Sequence, residues 1–230
     1  MFDRIKKAFA RDGPNSERQP GPSDAREWAS THGLTFEGQP PGEAFTLSAR
    51  VGGKPWRMQR TRPSRPFIRG EELRARAELD LGNEIAVLVM NRALKDALER
   101  QAYDRYTDTL QTTMDSSTPE EIRWLSMFDE VGWESAPDAF WDRYAILADQ
   151  REHAQTWINE SLCGLLLGWP QDGPNAQTPF TLMLVRGKAY LRMEYAPADL
   201  PTLAHATTIF VNACESALAG LAGKPPGKGR

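Results

Sequence analysis

This chain is poor in the residues that most chemistry relies on: of 230 residues two are cysteine and three are histidine, and its longest apolar run is the six residues 85–90. A helix that crosses a bilayer needs about 20 mostly apolar residues, so no membrane span is predicted. The basic stretch 1–10 has no apolar h-region after it, so no secretory leader is predicted either. Cys163 and Cys214 both fall within apolar helical stripes and are read as buried free thiols rather than a disulfide. Together these features place the protein in a reducing cytoplasm, with a peripheral position at the membrane left open.

The catalytic signatures are missing as well. His32, His153 and His205 are far apart, and no His-x₃-His or Cys-x₂-Cys spacing occurs, so no metal site is assigned. There is no Gly-x-Ser-x-Gly elbow, phosphate-binding loop or dinucleotide fingerprint, and therefore no catalytic residue and no cofactor is assigned. His153 and Cys163 on one helix would stand about 15 Å apart, too far for a base and its nucleophile unless that helix breaks. The acids Asp129, Glu130, Glu134, Asp138 and Asp142 cluster, as a solvated face does.

What is present suits a soluble globular protein, 40% apolar and 26% charged. The length allows one large domain or two small ones. Charge is divided unevenly: residues 1–76 carry net +6, residues 77–222 net −12, and the tail from Gly223 net +3. This asymmetry suggests an anionic partner for the first part, or two parts that face each other.

The clearest pattern lies in 140–221. Phe140, Asp142, Tyr144, Ile146 and Ala148 alternate with Trp141, Arg143, Ala145 and Leu147, which predicts a strand over 140–147. Asp149 with Glu152 reads as a capping box for a helix over 151–167, which Asn159 interrupts. Two strand-like runs, 180–185 and 189–195, flank Arg186-Gly187-Lys188 as a hairpin with a basic tip. Asp199 and Pro201 open a helix over 200–221, whose apolar stripe includes Leu203, Phe210, Cys214 and Leu218. With its aromatic-Tyr-x-Ile-Leu strand, capped acidic helix start and aromatic hairpin, the block 140–195 resembles a bacterial family of uncharacterised proteins, a domain of unknown function. That resemblance implies a packed α+β unit and lends no catalytic residues. Many members of the family look membrane-attached through N-terminal spans, a feature absent from this sequence.

The front of the chain has three pieces. Residues 1–11 can form a short amphipathic helix with Phe2, Ile5 and Phe9 on one side, either a membrane or partner contact or a frayed terminus. Residues 12–23 read as a flexible linker and 24–32 as a brief helix. From 34 the pattern becomes β, with strands predicted over 45–51, 55–60, 72–81 and 85–90. Helices follow over 92–106 and 119–131. The expected domain covers 24–222, with a subdomain break near 107–118 left open, and 223–230 form a basic flexible tail.

Seven arginines occur between 57 and 76. Arg57, Arg60, Arg62, Arg65 and Arg69 are the candidate anion-binding residues, since guanidinium groups grip phosphates and carboxylates bidentately. Trp56 and Phe67 could stack on bases. The competing reading is a solvated, salt-bridged sheet face, because Glu71, Glu72 and Glu78 are interleaved. The fold class expected is α+β, a mainly antiparallel sheet packed against helices. The function expected is a non-enzymatic cytoplasmic binding or adaptor protein. Its partner would be a protein, an acidic membrane surface or polyanion, or a second copy. The alternative is an enzyme or small-ligand-binding protein with a pocket between sheet and helices.

Overall fold

A computed structural model describes residues 22–38, 44–108 and 120–223. Phe2, Ile5 and Phe9, most of the linker, most of the stretch 107–118 and most of the basic tail lie outside the described residues. Among the described residues nine strands make one antiparallel sheet: β1 (Thr35–Gly38), β2 (Phe45–Val51), β3 (Lys54–Thr61), β4 (Glu72–Glu78), β5 (Ala86–Asn91), β6 (Asp129–Glu130), β7 (Tyr144–Ala148), β8 (Phe180–Val185) and β9 (Lys188–Glu194). Across the sheet their order is β1-β2-β3-β4-β9-β8-β5-β7-β6. The helices are α1 (Pro22–Thr31), α2 (Arg92–Asp108), α3 (Glu120–Met127), α4 (Asp138–Arg143), α5 (Arg151–Trp157), α6 (Glu160–Leu167) and α7 (Leu200–Leu221). The protein is α+β, as the mixture of glycine-turn hairpins and helices implies.

Strand periodicity sorts the residues between two faces. Leu47, Met58, Leu73, Leu191, Leu182, Val89 and Ile146 point to the first face and build the main core with α1 and α4 to α7. On the second face a smaller core forms only over β5, β7 and β8, where Leu88, Met90, Leu147 and Met183 meet Leu94 and Leu98 of α2 and Ile122 and Trp124 of α3. β5 is therefore buried along its whole length, and it reads as an unbroken apolar run because both of its faces are covered. The rest of the second face, on β1 to β4 and β9, carries polar side chains.

Both predicted hairpins form. Gly52 and Gly53 lie at φ 54° and 77°, and Arg186 and Gly187 at φ 51° and 70°, the left-handed pair that a two-residue turn between twisted strands requires. A Cβ at Gly187 would stand 2.6 Å from the Leu81 carbonyl oxygen, so glycine is needed there for space as well as for conformation.

The chain departs from expectation at several joints. Residues 140–143, predicted as strand, belong to α4. Pro137 at φ −61° with Asp138 behind it favours a helical first turn, and the Phe140 amide bonds back to the Pro137 carbonyl at 2.9 Å. Phe140 and Tyr144, four residues apart, then stack at 5.4 Å, which a period-two alternation also fits. The helix over 151–167 is two helices. Asn159 caps α6 by accepting the Leu162 amide at 2.9 Å, while Asp149 does not act as a cap. It accepts the Ala86 amide at 3.0 Å and holds His153 Nδ1 at 2.7 Å. Helix α3 stops at Met127 because Asp129–Glu130 pair with β7 instead. Strand β4 ends at Glu78, just before Asp80 turns to φ 54°. Helix α1 begins at Pro22, inside the stretch read as linker.

Candidate functional site

The five candidate arginines separate into distinct environments. Arg60 is only 6% exposed and lies on the core side of β3. Its Nε and Nη2 donate to the two carboxylate oxygens of Glu71 at 2.8 and 2.7 Å, and its guanidinium lies over the Tyr195 ring. Arg65 donates from Nε to Glu121 at 2.6 Å and stands 3.6 Å from Glu120. Both guanidinium groups are thus already paired with carboxylates of the chain itself. Arg69 is exposed, but it lines a hollow with Glu71, Asp172, Glu194 and Asp199, a poor setting for an anion. Arg62 is exposed on the loop that follows β3. Trp56 faces the core, edge-on to Phe210 at 6.0 Å, and cannot stack on a base. Phe67 packs against the smaller core.

Arg65 belongs to a buried charge network. Arg192 of β9 donates to Glu72 at 2.9 Å and to Glu121 at 2.8 Å. Glu72 also accepts the backbone amide and hydroxyl of Ser64. These groups tie the loop after β3 and the first turn of α3 to the sheet. Each carboxylate here has a guanidinium partner, which burial of a charge demands.

Arg57 remains, and the sheet gives it new neighbours. On the open second face Arg57 of β3 lies directly opposite Arg76 of β4, and Arg74 of β4 directly opposite Arg192 of β9. Like charges opposite each other across strands are destabilising; one member of each pair is answered within the chain, Arg192 by Glu72 and Glu121 and Arg76 by Glu78. Partial neutralisation comes from Glu78: burial pushes its carboxyl up, but hydrogen bonds from Arg76 and Lys188 outweigh that and hold it below the ordinary range. Glu78 is thus ionised at neutral pH and answers Arg76. Among the described residues Arg74 reaches only the Gln59 amide oxygen, at 3.3 Å. Arg57 makes no ion pair or hydrogen bond from its side chain among the described residues.

This row floors a hollow of about 280 Å³ lined by Arg57, Gln59, Arg74, Arg76, Tyr190 and Arg192. A second hollow, of about 400 Å³, opens between α3 and the sheet. It shares Met183, Tyr190 and Arg192 with the first and adds Trp124, Met127, Phe128, Arg123 and Arg186. The pair forms one cleft, lined by six arginines and two carboxylates, Glu84 and Glu120. Its chemistry is guanidinium, thioether and aromatic ring, with no histidine, cysteine or serine among the lining residues. Such a surface holds charge and apolar groups together.

Arg74 and Arg76 fall in the arginine run of the sequence. Arg192, Tyr190 and Arg123 carry no signal of their own, because only the β4–β9 pairing and the seat of α3 bring them there. Cys163 and Cys214 are buried free thiols, as read from their stripes, and burial pushes both thiols up. The helix break at Asn159 does not make a pair of His153 and Cys163: no hydrogen bond joins them, and His153 Nδ1 is held by Asp149. The acids Asp129, Glu130, Glu134, Asp138 and Asp142 are all exposed.

Among the described residues no helix is long and apolar enough to cross a membrane, and no group of histidine, cysteine and acidic residues is placed to hold a metal ion. No family model matches the chain, and no curated protein matches it. Among solved structures it is similar to the crystal structure of the mycobacterial trehalose monomycolate transport factor A, TtfA. The identity is 8% and the TM-score 0.49, over 89% of this chain and 97% of that one. A likeness at that level transfers neither ligand nor partner.

Proposed function

We propose that this chain is a non-enzymatic binding or adaptor protein that works in the cytoplasm and receives an anionic partner on the open face of its sheet. The observation that carries this reading is the doubled cross-strand apposition of Arg57 with Arg76 and Arg74 with Arg192. Arg57 and Arg74 have no carboxylate answering them among the described residues, whereas their cross-strand partners Arg76 and Arg192 do, so an incoming anion would supply the charges that these two positions lack. A partner surface that supplies carboxylates or phosphates satisfies the row bidentately. The net −12 of residues 77–222 opposes tight association with any polyanion, so binding is expected to be no better than about micromolar at physiological salt.

The test is fluorescence anisotropy of a labelled polyglutamate across a salt series. Affinity should fall steeply as salt rises, because exposed charge pairs are screened. Arg57→Glu with Arg74→Glu should abolish binding, while Arg62→Glu, away from the row, should leave it nearly unchanged. Salt-independent binding, or equal loss from Arg62→Glu, would return these arginines to an ordinary solvated face.

A further inference from the structure

The cleft changes character along its length, and that change constrains what fits it. At the β3 and β4 end it is a row of guanidinium groups. At the α3 end it is mixed: Met183, Tyr190, Met127 and Phe128 offer an apolar strip, bordered by Arg123, Arg186, Glu84 and Glu120. Met127 is 67% exposed, and among the described residues Tyr103 is the other large hydrophobic left so open. A methionine thioether adapts to irregular apolar partners and is common where a protein receives them. The occupant therefore carries negative charge at one end and an apolar group at the other.

Geometry favours an extended peptide. Arg57 opposes Arg76, so Arg74 is its diagonal neighbour across the strand pair, and diagonal neighbours stand about 7–8 Å apart with their Cβ atoms somewhat closer. In an extended chain, side chains two residues apart point the same way and are separated by about 6.6 Å. A Glu-x-Glu or Asp-x-Asp pair thus matches the Arg57–Arg74 spacing. A flat bilayer is a poorer match, because Arg74 and Arg192 are half-buried in the cleft floor. The chain's own first residues do not suit the site either, since residues 1–21 carry net +2.

We infer that the cleft is a docking site for an acidic extended segment of a partner protein, with two carboxylates one residue apart over Arg57 and Arg74 and a large apolar anchor against Met183 and Met127. This rests on the reading of the arginine row as an anion site and adds the class of partner. Charge complementarity selects the segment and the apolar end fixes its register.

The experiment compares two labelled twelve-residue peptides on the full chain at low salt, each with a Glu-x-Glu pair, one followed by tryptophan and one by serine. The tryptophan peptide should bind about tenfold more tightly, the gain expected from burying one large apolar side chain. Met127→Gln should remove that advantage and leave the serine peptide unaffected, whereas Arg57→Glu should weaken both. If both peptides bind alike and Met127→Gln changes nothing, the anchor is wrong while the anion row stands. If neither peptide binds, both readings fall. If vesicles of phosphatidylglycerol and phosphatidylcholine bind through Arg57 and the peptides do not, the partner is a lipid surface and the peptide inference is overturned.

Discussion

Arg57 and Arg60 show how much the parity of a strand decides. Three residues apart on β3, they must point to opposite faces, so one lines the open cleft while the other is clamped beneath it by Glu71. A window that counts arginines treats them alike; the energetics do not. Arg60→Ala should cost about 1–3 kcal/mol, because it leaves the Glu71 carboxylate without its partner. Arg57→Ala should lie within about 0.5 kcal/mol of the parent, as exposed substitutions usually do. Urea denaturation of both variants checks this, and equal losses would contradict the assignment of faces. Cys214 offers a second measurement at this scale. Burial raises its thiol from an ordinary value of 9.0 to about 12, so the folded chain keeps a proton that the unfolded chain releases. The unfolded state then binds fewer protons above pH 9, and stability must fall as pH rises from about 9 towards 12. Cys214→Ala should flatten that part of the stability profile; an unchanged slope would assign it to other groups, such as Tyr144 and Tyr195, which burial also raises.

At the level of elements, α7 is the main support of the first face. Leu203 and Phe210 are fully buried and Leu218 half-buried against the core, while Asp199 caps the helix by accepting the Thr202 amide at 2.8 Å. Phe210→Ala should cost about 3–5 kcal/mol through the cavity it leaves, and a loss under about 1 kcal/mol on denaturation would mean the stripe is not packed as described. This helix, both hairpins, β5 and the start of α2 were legible because each has one period running uninterrupted between clear stops. Residues 138–143 were not, since Phe140, Asp142 and Tyr144 satisfy period two while Phe140 and Tyr144 also satisfy the four-residue step of a helix. Only the tertiary seat of Phe140 among Trp141, Tyr144 and the α6 side of the core decides between them. The true end of α3 was hidden for a similar reason, because pairing of Asp129–Glu130 with β7 is a long-range event. The cleft was half legible: Arg57, Arg74 and Arg76 stand in one run, but Arg192 and Arg123 arrive through topology.

At the scale of the molecule, the sheet order couples distant parts of the chain. The hairpin of β2 and β3 is continued by β4, yet β4's other neighbour is β9, with Glu72 opposite Glu194 and Glu78 opposite Lys188. The buried network repeats that link, for Arg192 binds both Glu72 and the first turn of α3. A ribosome releases the chain from its first residue onward, so β4 emerges long before β9 exists. During that interval β4 is an open edge, with unpaired amides and carbonyls that invite a strand from another chain. Its outward residues are Glu72, Arg74, Arg76 and Glu78, and charge on a temporary edge repels the pairing that apolar residues would encourage. Arg74 and Arg76, which the proposed anion site uses in the finished protein, therefore also guard the unfinished one.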